Sequence, residues 1–153
     1  MLPMTLAIED ASIRHLEKLY EIEKQCFETE AFTKSQIANL LTDYNSIGLI
    51  AKADGEIVGF IIGTLYFERS SAVGHVLTID VSPSHRRKEI GLRLIQEIVG
   101  IFRQRGAKTS SLEVREDNIA ALRLYEKCGY KKVGKLKNYY GTVHGIYLRK
   151  TLV

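Results

Sequence analysis

The sequence predicts an α/β (α+β) fold: a mostly antiparallel, mixed and twisted sheet of about seven strands, with about four helices on both of its faces. Short apolar runs rich in β-branched residues alternate along the chain with stretches in which apolar residues recur at helical spacing. Their order is β αα βββ α β α ββ, which requires one parallel step in the sheet. The sequence contains only two prolines and no repeat, so no stretch is typical of a linker. We therefore expect residues 1–153 to form one domain around one core.

The composition limits the classes of partner. A net charge of +4 and a pI near 9.0 favour anionic ligands, but 18 acidic residues are interspersed with the 22 basic ones, which argues against nucleic acid. Cys26 and Cys128 lie far apart without metal-ligand spacing, so we expect no metal. The chain has neither a signal-like N-terminus nor a run that could span a membrane, so we expect a cytoplasmic protein.

The first strand and two helices are predicted from local patterns. The strand covers Met4–Ile8, and Asp10 or Ser12 caps a helix that ends near Cys26. Thr33-Lys-Ser-Gln36 is a capping box, so a second helix begins there.

Three strands follow in the central part of the chain. Ile47–Ala53 and Ile57–Phe67 are joined by Asp54-Gly55, a dipeptide that supplies the positive φ angles of a tight hairpin turn. Residues Glu68–Gly74 are expected to form a polar loop. The apolar run His75–Val81 is long and β-branched enough to be a buried strand.

The remaining elements begin after Ser82-Pro83, which ends the buried strand because proline has no amide donor. A helix starts almost at once, runs to about Arg105 and is closed by Gly106. The last elements are the strand Thr109–Arg115, a helix capped by Asn118 that ends at Cys128 before Gly129, and the strands Lys131–Lys137 and Gly145–Leu152. The loop between these last two strands is expected to hold Tyr139, Tyr140 and His144.

The junction between the strand His75–Val81 and the next helix suits an anion. It carries Arg86, Arg87 and Lys88, and Gly91 follows in the first turn of the helix. The free amides of a helix start point outward at the positive end of the helix dipole, and the cations add charge. For three adjacent cations, the alternative is a solvated surface or a nucleic-acid patch.

Four motifs occur in an order and spacing that coincidence does not explain. They are Ile79-Asp-Val81 with Arg86-Arg-Lys-Glu-Ile-Gly91, Leu112-Glu-Val-Arg115, Asn118-x-x-Ala121-x-x-x-Tyr125-x-x-x-Gly129-Tyr130, and Asn138-Tyr-Tyr140. With these motifs the chain resembles the GCN5-related N-acetyltransferases (GNAT) over nearly its whole length. Within that superfamily it is similar to the RimI-like and NatA-catalytic-subunit-like enzymes, which acetylate protein N-terminal amines. The resemblance implies the GNAT fold, acetyl-CoA as cofactor and protein or peptide N-termini as substrate.

The resemblance also implies which residues bind acetyl-CoA. The main-chain groups of Ile79 and Val81 would hold pantetheine, and an amide near Leu77 would bind the thioester carbonyl. Asn118 and Tyr125 would also contact the cofactor. The pyrophosphate or the 3′-phosphate would be bound by the loop and helix start, at Arg86, Arg87, Lys88, Glu89, Ile90 and Gly91.

Two positions depart from the family's pattern. Glu89 occupies the place of the first glycine in the phosphate-binding loop. A carboxylate aimed at a pyrophosphate would repel it, so we expect this side chain to point outward and leave its amide for binding. After the paired tyrosines, related sequences often carry acidic residues, whereas this chain has His144-Gly145, which leaves the acceptor preference open.

Three residues are candidates for catalysis. Glu113 is the first candidate for the general base, because strand alternation turns it away from Leu112 and Val114 and related enzymes use this glutamate; the alternative is an exposed strand glutamate. His75 is the second candidate, since imidazole titrates near neutral pH; the alternative is a buried structural histidine. Tyr125 matches the family's general acid, which would protonate the leaving thiolate; the alternative is a core tyrosine.

The acceptor is expected between two loops. One lies between the first two helices and the other between the last two strands, and together they carry Phe27, Glu28, Glu30, Tyr139 and Tyr140. The alternatives are a hydrophobic contact with solvated acids in the first loop, and tyrosines that only cover the end of the sheet in the second.

The leading function is therefore direct transfer of an acetyl group to the α-amine of protein N-termini. One alternative is a lysine side-chain or polyamine acetyltransferase, and another is an acyl-CoA-binding module without catalysis, which Glu89 motivates. A homo-oligomer or an auxiliary subunit is compatible with the sequence.

Overall fold

The computed structural model describes residues 3–86 and 88–153, and within them it contains one seven-stranded sheet with four α-helices. The strands are β1 Leu6–Asp10, β2 Ser46–Ala53, β3 Glu56–Glu68, β4 Ser71–Val81, β5 Ala107–Arg115, β6 Lys131–Tyr140 and β7 Val143–Thr151. The helices are α1 Leu16–Cys26, α2 Lys34–Thr42, α3 Ile90–Gln104 and α4 Ile119–Lys127, with short 3₁₀ turns at Ile13–His15 and Pro83–His85. The predicted fold class is confirmed.

The strand order across the sheet is β1-β2-β3-β4-β5-β7-β6, and β4 and β5 are its parallel neighbours. Their pairing begins with Ala72 opposite Ala107 and ends with His75 opposite Ser111. Beyond that point β4 remains paired with β3 up to Val81, but it has no register with β5. The two strands therefore separate and leave one edge of β4 open to a ligand.

The helices cover opposite faces of the sheet. Helices α3 and α4 pack on one face, where the fully buried residues of α3 are Ile90, Leu94, Ile95, Ile98 and Phe102. Helices α1 and α2 pack on the other face through a smaller cluster, whose buried residues are Leu19, Ile22, Ile37, Ile50, Phe60 and Ile62. Each face thus buries the apolar stripe of its own helices.

A β-bulge interrupts β4 at Leu77. Thr78 lies opposite Ile62 and Val76 lies opposite Gly63, so Leu77 is an additional residue in β4. Leu77 packs with the α1/α2 cluster, whereas Val76 packs with the α3/α4 cluster. The bulge changes the alternation of side chains halfway along the strand.

Helix α3 lies very close to β4. A Cβ atom built on Gly74 would be 2.3 Å from ring atoms of Phe102. Only glycine leaves room for this ring, so Gly74 sets how closely α3 approaches the strand.

The polar loop predicted at Glu68–Gly74 is wrong. Strand β3 continues to Glu68 and β4 begins at Ser71, so Arg69 and Ser70 alone form the turn. Both have positive φ, 51° and 69° respectively, as a two-residue hairpin turn requires. Neither is the asparagine or glycine that usually marks this turn, which is why the sequence pattern does not reveal it.

The loop predicted to hold Tyr139, Tyr140 and His144 is also wrong. Strand β6 extends to Tyr140, and β7 begins at Val143, so all three residues lie in strands. Asn138, with φ of 54°, lies where the register between β6 and β7 is irregular, and this irregularity hides the strand from a period-two pattern.

The ends of other elements differ slightly from the prediction. Strand β1 covers Leu6–Asp10, so Asp10 is part of the strand and the chain enters α1 through the 3₁₀ turn after Ser12. The capping box at the start of α2 is confirmed: Thr33 Oγ1 accepts from the Gln36 amide at 3.1 Å, and the Thr33 amide donates to Gln36 Oε1 at 2.8 Å. Among the described residues, no helix is long and apolar enough to cross a bilayer.

Candidate active site

His75 and Glu113 form a hydrogen-bonded pair where β4 and β5 separate. His75 Nε2 lies 2.9 Å from Glu113 Oε1, and His75 Nδ1 lies 2.6 Å from Ser111 Oγ. An ionised carboxylate only accepts, so the imidazole donates its Nε2–H to Glu113, and a neutral ring accepts from Ser111 through Nδ1. The two candidates for the base are thus one unit rather than alternatives. Both side chains are partly exposed, with fractions of 15% and 22%.

Tyr125 lies on α4 and is buried, with its ring 6.0 Å edge-to-face from that of Tyr130. Burial is the main cause that raises the pKa of Tyr125 above its ordinary value. The phenol therefore stays protonated and can donate a hydrogen bond to a ligand. Within residues 3–86 and 88–153 its hydroxyl has no hydrogen-bond partner, whereas the hydroxyl of Tyr130 lies 2.7 Å from Ser110 Oγ.

The first turn of α3 has no side-chain cap. Glu89, the N-cap residue, adopts the left-handed conformation with φ of 60° and ψ of 20°, and its side chain makes no hydrogen bond to the helix start. The carboxylate is 72% exposed and lies 3.7 Å from Lys127 Nζ, so it points outward as expected. The amides of the first turn therefore remain available to an anion.

The described cations at this junction are Arg86 and Lys88, both exposed; Arg87 lies outside the described residues. Arg86 turns back along β4: its Nε donates to the Val81 carbonyl at 3.3 Å, and its Nη2 lies 3.6 Å from Cys26 Sγ. The Val81 carbonyl is thus already engaged by the chain itself.

The other residues predicted to bind the cofactor surround the open edge of β4. Leu77 forms the bulge, and Ile79 packs with the α3/α4 cluster. Ile90 is buried, and a Cβ on Gly91 would lie 3.3 Å from a methyl group of Leu124 on α4, so this glycine allows α3 and α4 to pack closely. The predicted cap of α4 is confirmed, because Asn118 Oδ1 accepts from the Ala121 amide at 3.1 Å.

Arg115 joins the two predicted acceptor walls. Its Nη1 lies 3.3 Å from Glu30 Oε1 in the loop between α1 and α2, and its guanidinium lies 5.8 Å from the ring centre of Tyr140. Two hydrogen bonds of 3.0 Å join the Arg115 guanidinium to Asp117, and they lower the pKa of the Asp117 carboxyl. Sequence reasoning gave Arg115 no role, although the Leu-Glu-Val-Arg motif contains it.

The tyrosines of β6 lie near the His75–Glu113 pair. Tyr139 and Tyr140 stack edge-to-face at 4.9 Å. Burial raises the pKa of Tyr140 above its ordinary value, and the neighbouring Tyr139 and the carboxylates of Glu113 and Glu30 raise it further. These side chains share one electrostatic environment.

Phe27 and Glu28 are less closely tied to this group. Phe27 is half-buried at the end of α1, where its amide donates to the Glu23 carbonyl at 3.0 Å. Glu28 is exposed, and no ion pair or side-chain hydrogen bond joins it to another residue of the described ranges. Of the acidic residues in this loop, Glu30 is therefore the one that the structure brings to the site.

A basic hollow of about 420 Å³ is lined by Thr109, Gly129, Lys131, Arg149, Lys150 and Thr151, none of which is a predicted site residue. Its lining offers no carboxylate or imidazole that could act as a base. Two of its cations already have partners within the chain. Arg149 Nη1 lies 3.4 Å from Glu68 Oε1, and Lys150 Nζ donates to the Cys128 carbonyl at 2.6 Å. The separation of β4 and β5, which has both a carboxylate and an imidazole, is therefore the better candidate site.

Known proteins are similar to this chain in sequence and in fold. Residues 16–130 match the acetyltransferase (GNAT) family. An N-alpha-acetyltransferase of Sulfurisphaera tokodaii is 33% identical over 117 residues, which cover 71% of this chain and 70% of that protein. The crystal structure of the ribosomal-protein-S18-alanine N-acetyltransferase from Escherichia coli superposes with a TM-score of 0.87 at 22% identity, covering 97% of this chain and 94% of that one. Arabidopsis thaliana NAA60, crystallised in complex with acetyl-CoA, superposes with a TM-score of 0.85 at 19% identity, covering 96% and 98%. The chain belongs to the GNAT family of acetyltransferases.

Proposed function

We propose that this protein is an acetyl-CoA-dependent Nα-acetyltransferase that transfers an acetyl group directly to the α-amine of protein or peptide N-termini. The observation that carries the proposal is the His75–Glu113 pair, which lies where β4 leaves β5 and beside the walls that Arg115 joins. The named activity of the Sulfurisphaera relative supports the same reaction.

The open edge of β4 and the start of α3 fit acetyl-CoA. From Val76 to Val81 the strand is paired only with β3, so its other edge, apart from the Val81 carbonyl that Arg86 engages, is available to the amide groups of pantetheine. The uncapped amides at the start of α3 suit a pyrophosphate, and the Glu89 carboxylate points outward, so its repulsion of the pyrophosphate is weak. When bound, acetyl-CoA supplies the acetyl thioester.

Glu113 is the proposed general base. His75 occupies one carboxylate oxygen and orients the group, which leaves the other oxygen to accept a proton from the amine directly or through water. A protein α-amine has a pKa of about 8, so roughly a tenth of it is already neutral at pH 7 and a weak base is sufficient. Tyr125 is the proposed acid, since its buried phenol keeps its proton and can donate it to the leaving sulfur.

The acceptor walls favour a peptide N-terminus over a polyamine. Glu30 is already paired with Arg115, so its charge is largely compensated and attracts a second cation weakly. Tyr139 and Tyr140 offer aromatic surface for the first side chain of a peptide. Ribosomal proteins are among the candidate acceptors.

Three acceptors test the proposal: a lysine-containing peptide that begins with alanine, the same peptide with a blocked N-terminus, and spermidine. We expect acetylation of the free peptide only, at its α-amine, with the position determined by fragmentation mass spectrometry. Equal turnover of the blocked peptide would instead indicate a side-chain acetyltransferase. Acetyl-CoA binding by calorimetry with no turnover of any acceptor would indicate a non-catalytic module. Glu113→Gln is the control for enzyme-dependent transfer.

A further inference from the structure

Three polar side chains are buried together beneath the acceptor loop, outside the proposed catalytic group. Glu23 of α1 and Asp80 of β4 are each 1% exposed, and Thr78 of β4 is 6% exposed. Thr78 Oγ1 lies 2.6 Å from Asp80 Oδ1 and 3.1 Å from Glu23 Oε1. Glu23 Oε2 accepts from the Phe32 amide at 3.0 Å. These contacts connect β4 to the far end of the loop between α1 and α2. Because the open edge of β4 is proposed to bind acetyl-CoA, we call β4 the cofactor strand.

The contacts require one additional proton. A threonine hydroxyl has one hydrogen and cannot donate to two carboxylates at once. Asp80 Oδ2 is buried and has no hydrogen-bond partner among the described residues, so a negative charge on Asp80 would be poorly compensated. Glu23 accepts from two donors, which suits its ionised form. Asp80 therefore holds the proton and donates to Thr78, which in turn donates to Glu23.

The charged surroundings agree with this assignment. Burial first, and the Glu23 carboxylate second, raise the pKa of Asp80. On the other side, the Arg86 guanidinium favours ionisation, but it lies at the exposed end of β4. Among residues 3–86 and 88–153, further titratable neighbours are the Cys26 thiol of α1 and the Tyr125 phenol of α4, whose pKa values are both raised by burial.

We infer that Glu23 is a positioning residue for acceptor binding, which fastens the loop of residues 27–33 to the cofactor strand through Thr78 and protonated Asp80. The inference rests on the proposed function, because that loop carries Glu30 of the acceptor wall. Within the loop, Glu30 is bound to β5 by Arg115 and Phe32 to α1 by Glu23, so two contacts set its position. Loosening the Glu23 contact moves the acceptor wall and leaves the start of α3 unchanged.

Two nearly isosteric variants separate this role from a general structural one. In Glu23→Gln the amide cannot accept from both the Phe32 amide and the Thr78 hydroxyl, so we expect the KM for the peptide to rise about tenfold, as expected for a lost hydrogen bond to a charged group. The KM for acetyl-CoA should stay within twofold. In Asp80→Asn an N–H replaces the carboxylic O–H, so both KM values should stay near wild type at pH 7.

Alkaline pH supplies a second readout. Since Asp80 must keep its proton, its ionisation places two like charges side by side, and the peptide KM of the wild type should rise relative to that of Asp80→Asn as pH increases. The asparagine variant cannot ionise there and serves as the reference for all other titrations.

Hydrogen exchange of the Phe32 amide tests the contact without any substrate. We expect protection in the wild type and in Asp80→Asn, and faster exchange in Glu23→Gln. The inference is overturned if Glu23→Gln leaves Phe32 exchange and the peptide KM unchanged, or if Asp80→Asn is the damaging variant. If the wild type acetylates no peptide, the proposed function fails, while Phe32 exchange still decides whether Glu23 fastens the loop.

Discussion

Nε2 of His75 lies 2.9 Å from Oε1 of Glu113, and the two residues belong to parallel strands that separate immediately after the register pair His75 and Ser111. The proposed base, Glu113, is therefore held by the last paired residue of β4, and the neighbouring edge of β4 is open to a cofactor. One feature of the sheet thus brings acid–base chemistry and acyl donor together.

Because His75 and Glu113 are hydrogen-bonded to each other, substitutions of the two residues should have non-additive effects on kcat. We expect Glu113→Gln to lower kcat about 100-fold, since a general base contributes at least this much. His75→Ala should lower kcat less, and the double variant should be no slower than Glu113→Gln alone. Steady-state kinetics at saturating acetyl-CoA measures this. If the decrease in kcat of the double variant equals the product of the two single decreases, the two residues act separately.

Tyr125→Phe should lower kcat about 100-fold with little change in stability, because the variant removes only a proton donor whose hydroxyl has no described partner. The neighbouring Tyr130→Phe is the matched control and should affect stability instead, since it removes the bond to Ser110. The acid must hold its proton, and burial raises the pKa of Tyr125 above the ordinary 10.0, so activity should not decline with rising pH below about pH 10. An alkaline limb at lower pH would contradict this role.

Glu89→Gly should stabilise the protein and improve cofactor binding. The left-handed backbone at Glu89 costs about 1 kcal/mol for a residue with a side chain, so we expect Tm to rise by about 2–4 °C. The KM for acetyl-CoA should fall as well. Glu89→Ala removes the carboxylate but keeps the strain, so it should improve binding without raising Tm. Equal Tm values for the two variants would exclude backbone strain as the cause.

Gly74→Ala should destabilise the fold by about 3 kcal/mol, because the added methyl group would overlap the ring of Phe102. Gly100→Ala, within α3, is the matched control: no atom lies within 4 Å of the new Cβ, so the variant should gain about 0.5–1 kcal/mol of helix propensity. Urea unfolding of both proteins gives the two free energies. A stable Gly74→Ala protein would show that α3 can move away from β4.

Much of the fold can be predicted because its signals are local. Three signals each depend on four neighbouring residues or fewer, and the structure contains all of them. They are the capping box at Thr33, the Asp54-Gly55 turn and the cap at Asn118. The turn at Arg69 and Ser70 is missed because its positive φ angles are imposed by the pairing of β3 with β4 rather than by the residues themselves.

The candidate site is predictable in its residue types and less so in its contacts. Glu113 and His75 stand out by chemistry, but their hydrogen bond depends on the register between two strands that are 38 residues apart. The same holds for Arg115 and Glu30, which are 85 residues apart, and for Glu23 and Thr78, which are 55 residues apart. A local pattern contains no information on such pairs.

The bulge at Leu77 has a consequence for how this chain can change length in evolution. His75 lies on the side of the sheet that faces Glu113, while Ile79 packs with α3, and one extra residue between them makes both orientations compatible. If the second half of β4 stays in place, deleting Leu77 would restore regular alternation and leave His75 facing Glu113, whereas inserting one more residue here would turn His75 to the α3 face of the sheet. Loss of the bulge residue should therefore be accepted in this segment of β4, and single-residue insertions should be rejected.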